Sequence, residues 1–320
     1  MEEGSAYERL VETLEGRDGV RRAVPVVGAG MNMEANPDTD EPGWGELIAR
    51  VARREDLVLP KRAPESMLAW WEHLIGACAE RYDEPSHRAE ARLQHAVVAE
   101  LRELEDRVNG RGRGRTLYDE LIEGGYRDII SYNFDRRLAC AGEGKLCRAV
   151  GMRPAAGVAR RDYDALILHD RCGGTRVWYP HGCTKVPSTI KTGARQYGTY
   201  IGALERARTL YKQRERVSVA QSGWAAFAAS VRESPRNWFE LFMVSDLVFV
   251  GLSLGPDEWD LWWALHQRAR NFARRPEQRP RTFVLTEKER GPSGSPAGVE
   301  TVELFRHEIW RLLAGDRAKA

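Results

Sequence analysis

The stretch RRAVPVVGAGMN, residues 21–32, decides how the rest of the chain is interpreted. Small or apolar residues at 23–27 lead directly into the glycine turn Gly28-Ala29-Gly30. A short, nearly continuous apolar run that ends in a turn is typical of a strand buried on both faces of a parallel sheet. The stretch therefore predicts the first strand of an α/β sheet, with the glycine turn at its carboxyl end.

The glycine turn is also a candidate phosphate site. Gly28 and Gly30 have no Cβ atom, so a ligand can approach the backbone closely. Where such a turn opens a helix, the free N–H groups of the first helical turn favour an anion. We interpret the turn as a nucleotide pyrophosphate site, although the same residues also form tight turns that bind nothing.

The composition is that of a globular protein without a strong charge bias. Of the 320 residues, 42% are hydrophobic, and 49 basic residues nearly balance 47 acidic ones. The formal net charge of +2 gives no electrostatic reason to expect nucleic acid as the main ligand. No apolar run approaches the roughly 20 residues that span a bilayer, and the initial MEEGSAYERL does not resemble a signal peptide. We expect a cytoplasmic protein that binds neither membranes nor nucleic acid directly.

The five cysteines predict neither a disulfide framework nor a metal site. An odd number in an intracellular chain argues against paired disulfides. Zinc bound by Cys140, Cys147, Cys172 and Cys183 is conceivable, but the chain has no CxxC pair and these spacings are not those of a zinc ribbon. We expect reduced structural cysteines and no bound zinc or other metal.

Further along the chain, segments with strand character alternate with segments of helical periodicity. Strands are predicted at 127–132, 165–168, 175–179, 246–254 and 281–286. Because strands and helices alternate, we predict an α/β fold, a three-layer Rossmann-like parallel sheet.

We expect a single domain over residues 1–320. Its core is predicted at about 20–54 and 115–290, with an inserted helical subdomain at about 55–114 and a C-terminal helix at 299–315. The glycine-rich stretch 140–159 is predicted to be irregular.

Three later segments place polar or glycine residues at the carboxyl end of a predicted strand. They are Asn133-Phe134-Asp135, His181-Gly182 and Gly251-Leu252-Ser253. Doubly wound sheets bind ligands in the crevice outside the carboxyl ends of their strands. We therefore expect these segments to converge beside the glycine turn.

Each of these residues also has an ordinary structural explanation. Asn133 and Asp135 are suited to cap the next helix. His181 alone is more often a buried structural histidine, and Ser253 alone is an ordinary turn residue. Asp257 is interpreted as a helix N-cap rather than as a ligand contact.

Taken together, the four motifs resemble the sirtuin superfamily. In that superfamily a GAG turn, an (S/T)xN(Y/F/I)D-type stretch, an HG pair and a GxS strand end build one NAD pocket. Here the motifs are GAG at 28–30, SYNFD at 131–135, HG at 181–182 and GLS at 251–253. The resemblance covers roughly residues 20–290.

The chain looks more similar to the sirtuin-like NAD-consuming proteins of bacterial anti-phage defence than to the protein deacylases. Met31-Asn32 follows the GAG turn, SYNFD is similar to the TNYD pattern of the defence proteins, and the CxxC pairs of the deacylase zinc module are missing. WGEL at 44–47 resembles their WxxL. GLSLGPD at 251–257 resembles their GxSLxD but has one extra residue before the Asp.

The resemblance implies an NAD hydrolase that releases nicotinamide and ADP-ribose and depletes NAD in infected cells. Asn133 is expected to bind a ribose hydroxyl or the attacking water, because its amide both donates and accepts. His181 is expected to accept a proton near neutral pH. Asp135 is expected to orient Asn133 or nearby backbone. Contacts to NAD are expected from Gly28, Ala29, Gly30, Met31, Asn32, Gly251 and Ser253.

Two other functions stay open, an NAD-dependent protein deacylase and a non-catalytic module that senses NAD or ADP-ribose. We also expect a homo-oligomer, or a separately encoded defence partner such as a helicase-like ATPase or an Argonaute. The charged helix predicted at 87–108 is a candidate contact surface for that partner.

Overall fold

The structure is a computed structural model, and its strands and helices are defined for most of the chain. It describes residues 5–15, 21–36, 40–60, 66–109, 116–141, 143–149, 159–252, 254–255, 257–287, 299–304, 308–309 and 312–313.

The described strands form one eight-stranded sheet in the order β3-β4-β5-β2-β1-β6-β7-β8. All neighbouring strands from β5 to β8 are parallel, whereas the β3-β4 and β4-β5 pairs are antiparallel. The strands are β1 (Val24–Val27), β2 (Asp128–Ser131), β3 (Lys145–Arg148), β4 (Leu168–Cys172), β5 (Thr175–Trp178), β6 (Leu247–Val250), β7 (Thr282–Glu287) and β8 (Glu300–Leu304).

Helices connect most of these strands. Two short 3₁₀ helices lie at Pro187–Thr189 and Pro276–Gln278. The α-helices are α1 (Ala6–Glu15), α2 (Ala29–Ala35), α3 (Trp44–Arg54), α4 (Met67–Tyr82), α5 (Ser86–Asn109), α6 (Leu117–Glu123), α7 (Arg137–Ala141), α8 (Arg160–Ile167), α9 (Ala194–Glu233), α10 (Trp238–Val244) and α11 (Trp259–Asn271).

Strand β1 is buried on both faces, as its apolar sequence predicts. Val24 and Val26 belong to one core, which they share with α8, α9, α10 and α11. Val27 belongs to the core on the opposite face, which includes residues of α1, α6 and α7. Because side chains alternate along a strand, this division places helices on both faces of the sheet and makes three layers.

The parallel part of the sheet has a Rossmann-like strand order. In chain order, β5-β2-β1-β6-β7-β8 corresponds to 3-2-1-4-5-6, and the direction of the connections reverses between β1 and β6. Open α/β sheets bind ligands in the crevice at such a switch point. The Gly28 turn and Gly251 follow the last residues of these two strands.

The turn after β1 packs directly against the segment after β6. A Cβ atom added to Gly30 would lie 2.7 Å from the Gly251 Cα, and one added to Gly28 would lie 2.7 Å from the Gly251 carbonyl oxygen. Gly251 itself has a φ of +65°, a conformation that favours glycine. These glycines are therefore required by the close approach of two backbone segments.

Helices α3, α4 and α5 share a core of their own. Phe134 and Ile190, which lie outside these helices, also belong to that core. The helices therefore pack onto one end of the sheet, and their separation as an inserted subdomain stays a prediction.

Three predicted elements differ from the structure. The first residues of the predicted C-terminal helix at 299–315 form β8 instead, because ETVEL alternates polar and buried apolar residues with the period of a strand. Only 308–309 and 312–313 are helical among the described residues there. The predicted strand at 165–168 lies mostly in α8, and the stretch at 140–159 contains β3.

No described helix has both the length and the apolar composition needed to cross a membrane.

We predict that Gly30→Ala lowers the free energy of unfolding by about 1–3 kcal/mol, because the new methyl group has no space beside Gly251. The matched control is Gly202→Ala in α9, where a Cβ atom meets nothing within 4 Å. The control should be neutral or stabilise by up to about 1 kcal/mol. Urea unfolding measures both, and equal destabilisation in the two variants would contradict the packing assigned to the turn.

Candidate active site

A cavity of about 220 Å³ lies beside the carboxyl ends of β1, β2 and β6. The sequence-predicted residues that line it are Gly28, Ala29, Asn32, Asn133, Asp135 and His181. Asn133 and His181, which are far apart in the sequence, thus face one cavity.

The side-chain amide of Asn133 is oriented by the turn after β1. Its Nδ2 donates to the Gly28 carbonyl oxygen at 3.1 Å and to Oδ1 of Asn32 at 3.1 Å. These two bonds use both amide hydrogens. No described residue donates to Asn133 Oδ1, so this oxygen is available to accept a hydrogen bond from a ligand hydroxyl or a water molecule.

Asp135 acts on Asn133 through Asn32. Nδ2 of Asn32 donates to Oδ2 of Asp135 at 2.7 Å, and the Tyr118 hydroxyl donates to Oδ1 of Asn32 at 3.0 Å. Oδ1 of Asp135 also accepts from the backbone N–H of Arg137, the first residue of α7. Asp135 is therefore a positioning residue, and it also caps the next helix.

Asp135 remains ionised although it is buried. Burial raises the pKa of its carboxyl group, but the Arg137 guanidinium and several hydrogen bonds outweigh that effect and lower the pKa below its usual range. Arg137 forms a bidentate pair with Glu41, at 2.5 and 2.8 Å.

His181 lies just past β5 and is held at both ring nitrogens. Its Nε2 is 2.9 Å from Oδ1 of Asp260, and its Nδ1 is 3.3 Å from the Tyr197 hydroxyl. The Tyr132 ring packs edge-on against the imidazole, with ring centroids 4.6 Å apart. Burial lowers the pKa of His181, but the Asp260 carboxylate outweighs burial and raises it.

Glu258 is a further titratable group of the cavity. Its Oε2 is 4.0 Å from Nε2 of His181 and has no hydrogen-bond partner among the described residues. Burial raises the pKa of Glu258 to about 6, and His181 opposes that rise. A carboxylate with this pKa is suited to accept a proton near neutral pH.

Glu258 and Asp260 were not among the residues predicted from the sequence. Both stand just after the GLSLGPD motif, at the start of α11, and no local pattern marks them. Asp257 does not cap α11 as expected. Its carboxylate instead accepts from Ser66 Oγ at 2.5 Å and from the Met67 N–H at 3.0 Å, at the start of α4.

The turn after β1 uses three of its amides within the protein. The Gly28 N–H donates to the Val250 carbonyl, the Gly30 N–H to the Gly251 carbonyl, and the Met31 N–H to the Gly28 carbonyl. Met31 is buried in the core. A pyrophosphate contact at this turn therefore stays a prediction.

Of the other predicted NAD contacts, Gly30 and Gly251 pack against each other. Ser253 lies outside the described residues.

The ligand atoms of His181, Glu258 and Asp260 lie within 4.8 Å of one another, close enough to hold a metal ion. We interpret them as an acid–base cluster, because His181 Nε2 and Asp260 already form a hydrogen bond. The expected absence of zinc stays a prediction.

Comparison with protein-family models found no match, and a search of curated proteins also found none. The resemblance to sirtuin-like proteins therefore depends on the motifs alone.

We predict that Asp260→Asn lowers the pKa of His181, because the neutral amide no longer favours the imidazolium. Glu258→Gln should lower it less, since Glu258 lies farther from Nε2. An NMR titration of the imidazole signals measures both shifts, with the exposed His95 as the internal reference. A His181 pKa that is unchanged in Asp260→Asn would contradict the assigned pairing.

Proposed function

We propose that the protein is an NAD hydrolase that cleaves the bond between nicotinamide and ribose and produces nicotinamide and ADP-ribose. One observation carries the proposal: Asn133, whose Oδ1 accepts from no described residue, and the His181–Glu258 pair face one cavity at the switch point of a parallel sheet. Without a matching family, the proposal rests on this geometry and on the motifs.

The reaction makes limited demands on the protein. Nicotinamide leaves as a neutral molecule from a cationic pyridinium, so no strong general acid is needed. The ribose passes through an oxocarbenium-like centre, as in other glycosyl transfers. The site must hold the ribose hydroxyls, exclude bulk water and place one water molecule beside the anomeric carbon.

Asn133 is suited to hold the ribose. Its Oδ1 would accept from a ribose hydroxyl, while its Nδ2 stays bonded to Gly28 and Asn32. Asp135 contributes by fixing Asn32. Hydrogen bonds from such fixed side chains favour the reacting geometry, because the side chains are already ordered in the folded protein and lose little entropy when the substrate binds.

Glu258 is better suited than His181 to accept the proton of the attacking water. Both ring nitrogens of His181 are bonded to protein groups, whereas Oε2 of Glu258 has no partner among the described residues. In this scheme, the water oxygen forms a bond to the anomeric carbon and its proton passes to Glu258. His181 then holds Glu258 in place and favours its ionised form.

The size and lining of the cavity indicate that it encloses only part of the substrate. At about 220 Å³ it is smaller than the roughly 300–1,000 Å³ of pockets that enclose drug-sized ligands. We infer that it encloses the nicotinamide and its ribose, and that the adenosine half lies toward Leu252. Trp44 and Phe134, with ring centroids 5.4 Å apart, form the aromatic side of the cavity.

The biological setting is part of the proposal and rests on the motif resemblance alone. We propose a cytoplasmic protein that depletes NAD in anti-phage defence, as a homo-oligomer or with a separately encoded partner.

We predict that Asn133→Ala and His181→Ala each lower nicotinamide release from NAD by about 10²-fold or more. His95→Ala, an exposed histidine outside the cavity, should retain the rate of the unchanged protein. Chromatographic detection of nicotinamide across a range of protein concentrations measures all four proteins. Equal turnover in the cavity variants, or NAD binding without any nicotinamide release, would refute the proposed hydrolysis.

We predict that the rate of the unchanged protein rises with pH through about 6, because Glu258 must be ionised to accept a proton. In Glu258→Gln, that rise should disappear and the rate should fall by about 10²-fold or more. Rates measured from pH 4.5 to 9 check both effects. A rise through pH 6 that persists in Glu258→Gln would show that another group is the base.

A further inference from the structure

A second cavity, of about 410 Å³, lies at the opposite edge of the sheet, beside the amino ends of β1 and β2. Four arginines line it: Arg21 and Arg22 before β1, Arg127 before β2, and Arg232 in the last turn of α9. Ser245, between α10 and β6, also lines the cavity. No proposed step of NAD hydrolysis uses this cavity.

The carboxylates of this cavity do not balance its arginines. Asp128 is engaged elsewhere, since Arg176 donates to it at 2.7 and 2.8 Å and the Trp178 indole donates at 2.8 Å. Glu233 is the other acidic residue of the lining, and its side chain is exposed. Among the described residues of the lining, the four guanidinium groups thus face one carboxylate that is not already paired with Arg176.

Two of the four arginines donate hydrogen bonds to the protein, and the other two are not bonded to any described residue. Arg21 donates to the Tyr126 hydroxyl, and Arg232 donates to the Val244 carbonyl at 2.8 Å. Within the described part of the chain, no hydrogen bond or ion pair holds the exposed side chains of Arg22 and Arg127.

Two arginines of the cavity repel each other, and one buried hydroxyl group has no hydrogen bond to a described residue. Burial lowers the pKa of Arg232, and the nearby Arg22 guanidinium lowers it further against the opposing effect of Asp246. Oγ of Ser245 is buried and has no partner among the described residues. A bound anion would relieve this repulsion.

We propose that this cavity binds the phosphate groups of a small molecule, with Arg22 and Arg127 as the main donors. Guanidinium groups match phosphate oxygens in geometry and charge. The site is a concave cavity in a chain of net charge +2, which favours a compact anion over the long backbone of a nucleic acid.

Isothermal titration calorimetry of the full chain with inorganic pyrophosphate tests the proposal. Arg22→Gln and Arg127→Gln should each weaken pyrophosphate binding by about tenfold or more, since each loses charged hydrogen bonds. The matched control is Arg216→Gln, which changes an exposed arginine of α9 outside the cavity. Its affinity for pyrophosphate should stay within about twofold of that of the unchanged protein. The two cavity variants change exposed side chains that no other described residue holds, so they should fold normally, and circular dichroism checks this.

Further titrations separate the possible ligands. If ADP binds, adenosine does not, and Arg22→Gln weakens ADP binding as it weakens pyrophosphate binding, the cavity accepts the phosphates of a nucleotide. If pyrophosphate binds and ADP does not, the ligand is a free phosphate compound. Pyrophosphate binding is tested with Arg22→Gln and Arg127→Gln, and nicotinamide release with Asn133→Ala and His181→Ala, so failure of one proposal is distinguishable from failure of the other. The proposal is overturned if pyrophosphate does not bind, if the two cavity variants bind it as tightly as Arg216→Gln does, or if only duplex DNA binds.

Discussion

The contact between the turn after β1 and the segment after β6 is the constraint on which the candidate site depends. Gly30 and Gly251 approach so closely that neither position has room for a side chain. This contact joins the two strands between which the chain connections reverse direction. It also fixes the Gly28 carbonyl, which accepts from the Asn133 amide. The orientation of Asn133 thus follows from the packing of glycines that lie far from it in the sequence.

The charged groups around the cavity are paired, yet Glu258 and Asp260 each keep a buried carboxylate oxygen without a hydrogen bond to a described residue. Asp135 is held by Arg137, and His181 by Asp260. Oε2 of Glu258 is buried without a hydrogen-bond partner among the described residues. A buried carboxylate oxygen without a hydrogen bond is unfavourable for folding, and groups of this kind concentrate at functional sites. Because Asp260 is already bonded to His181, and both ring nitrogens of His181 are engaged, we assign the proton transfer to Glu258.

The sequence was sufficient to predict the framework of the site, because local patterns determine it. The apolar run before Gly28 predicted β1, and the polar residues after two other strands placed Asn133 and His181 at the crevice. Glu258 and Asp260 were missed because their role depends on where α11 starts relative to β5, which no local pattern encodes. The strand β8 was missed because ETVEL is too short to separate strand from helical periodicity.

A crystal structure of Glu258→Gln with NAD shows whether Asn133 holds the nicotinamide ribose, because this variant is expected to bind the substrate and turn it over slowly. We predict a hydroxyl of the nicotinamide ribose within about 2.6–3.2 Å of Asn133 Oδ1, with the anomeric carbon facing residue 258. Binding of NAD outside this cavity, or with the nicotinamide ribose turned away from Asn133, would contradict it.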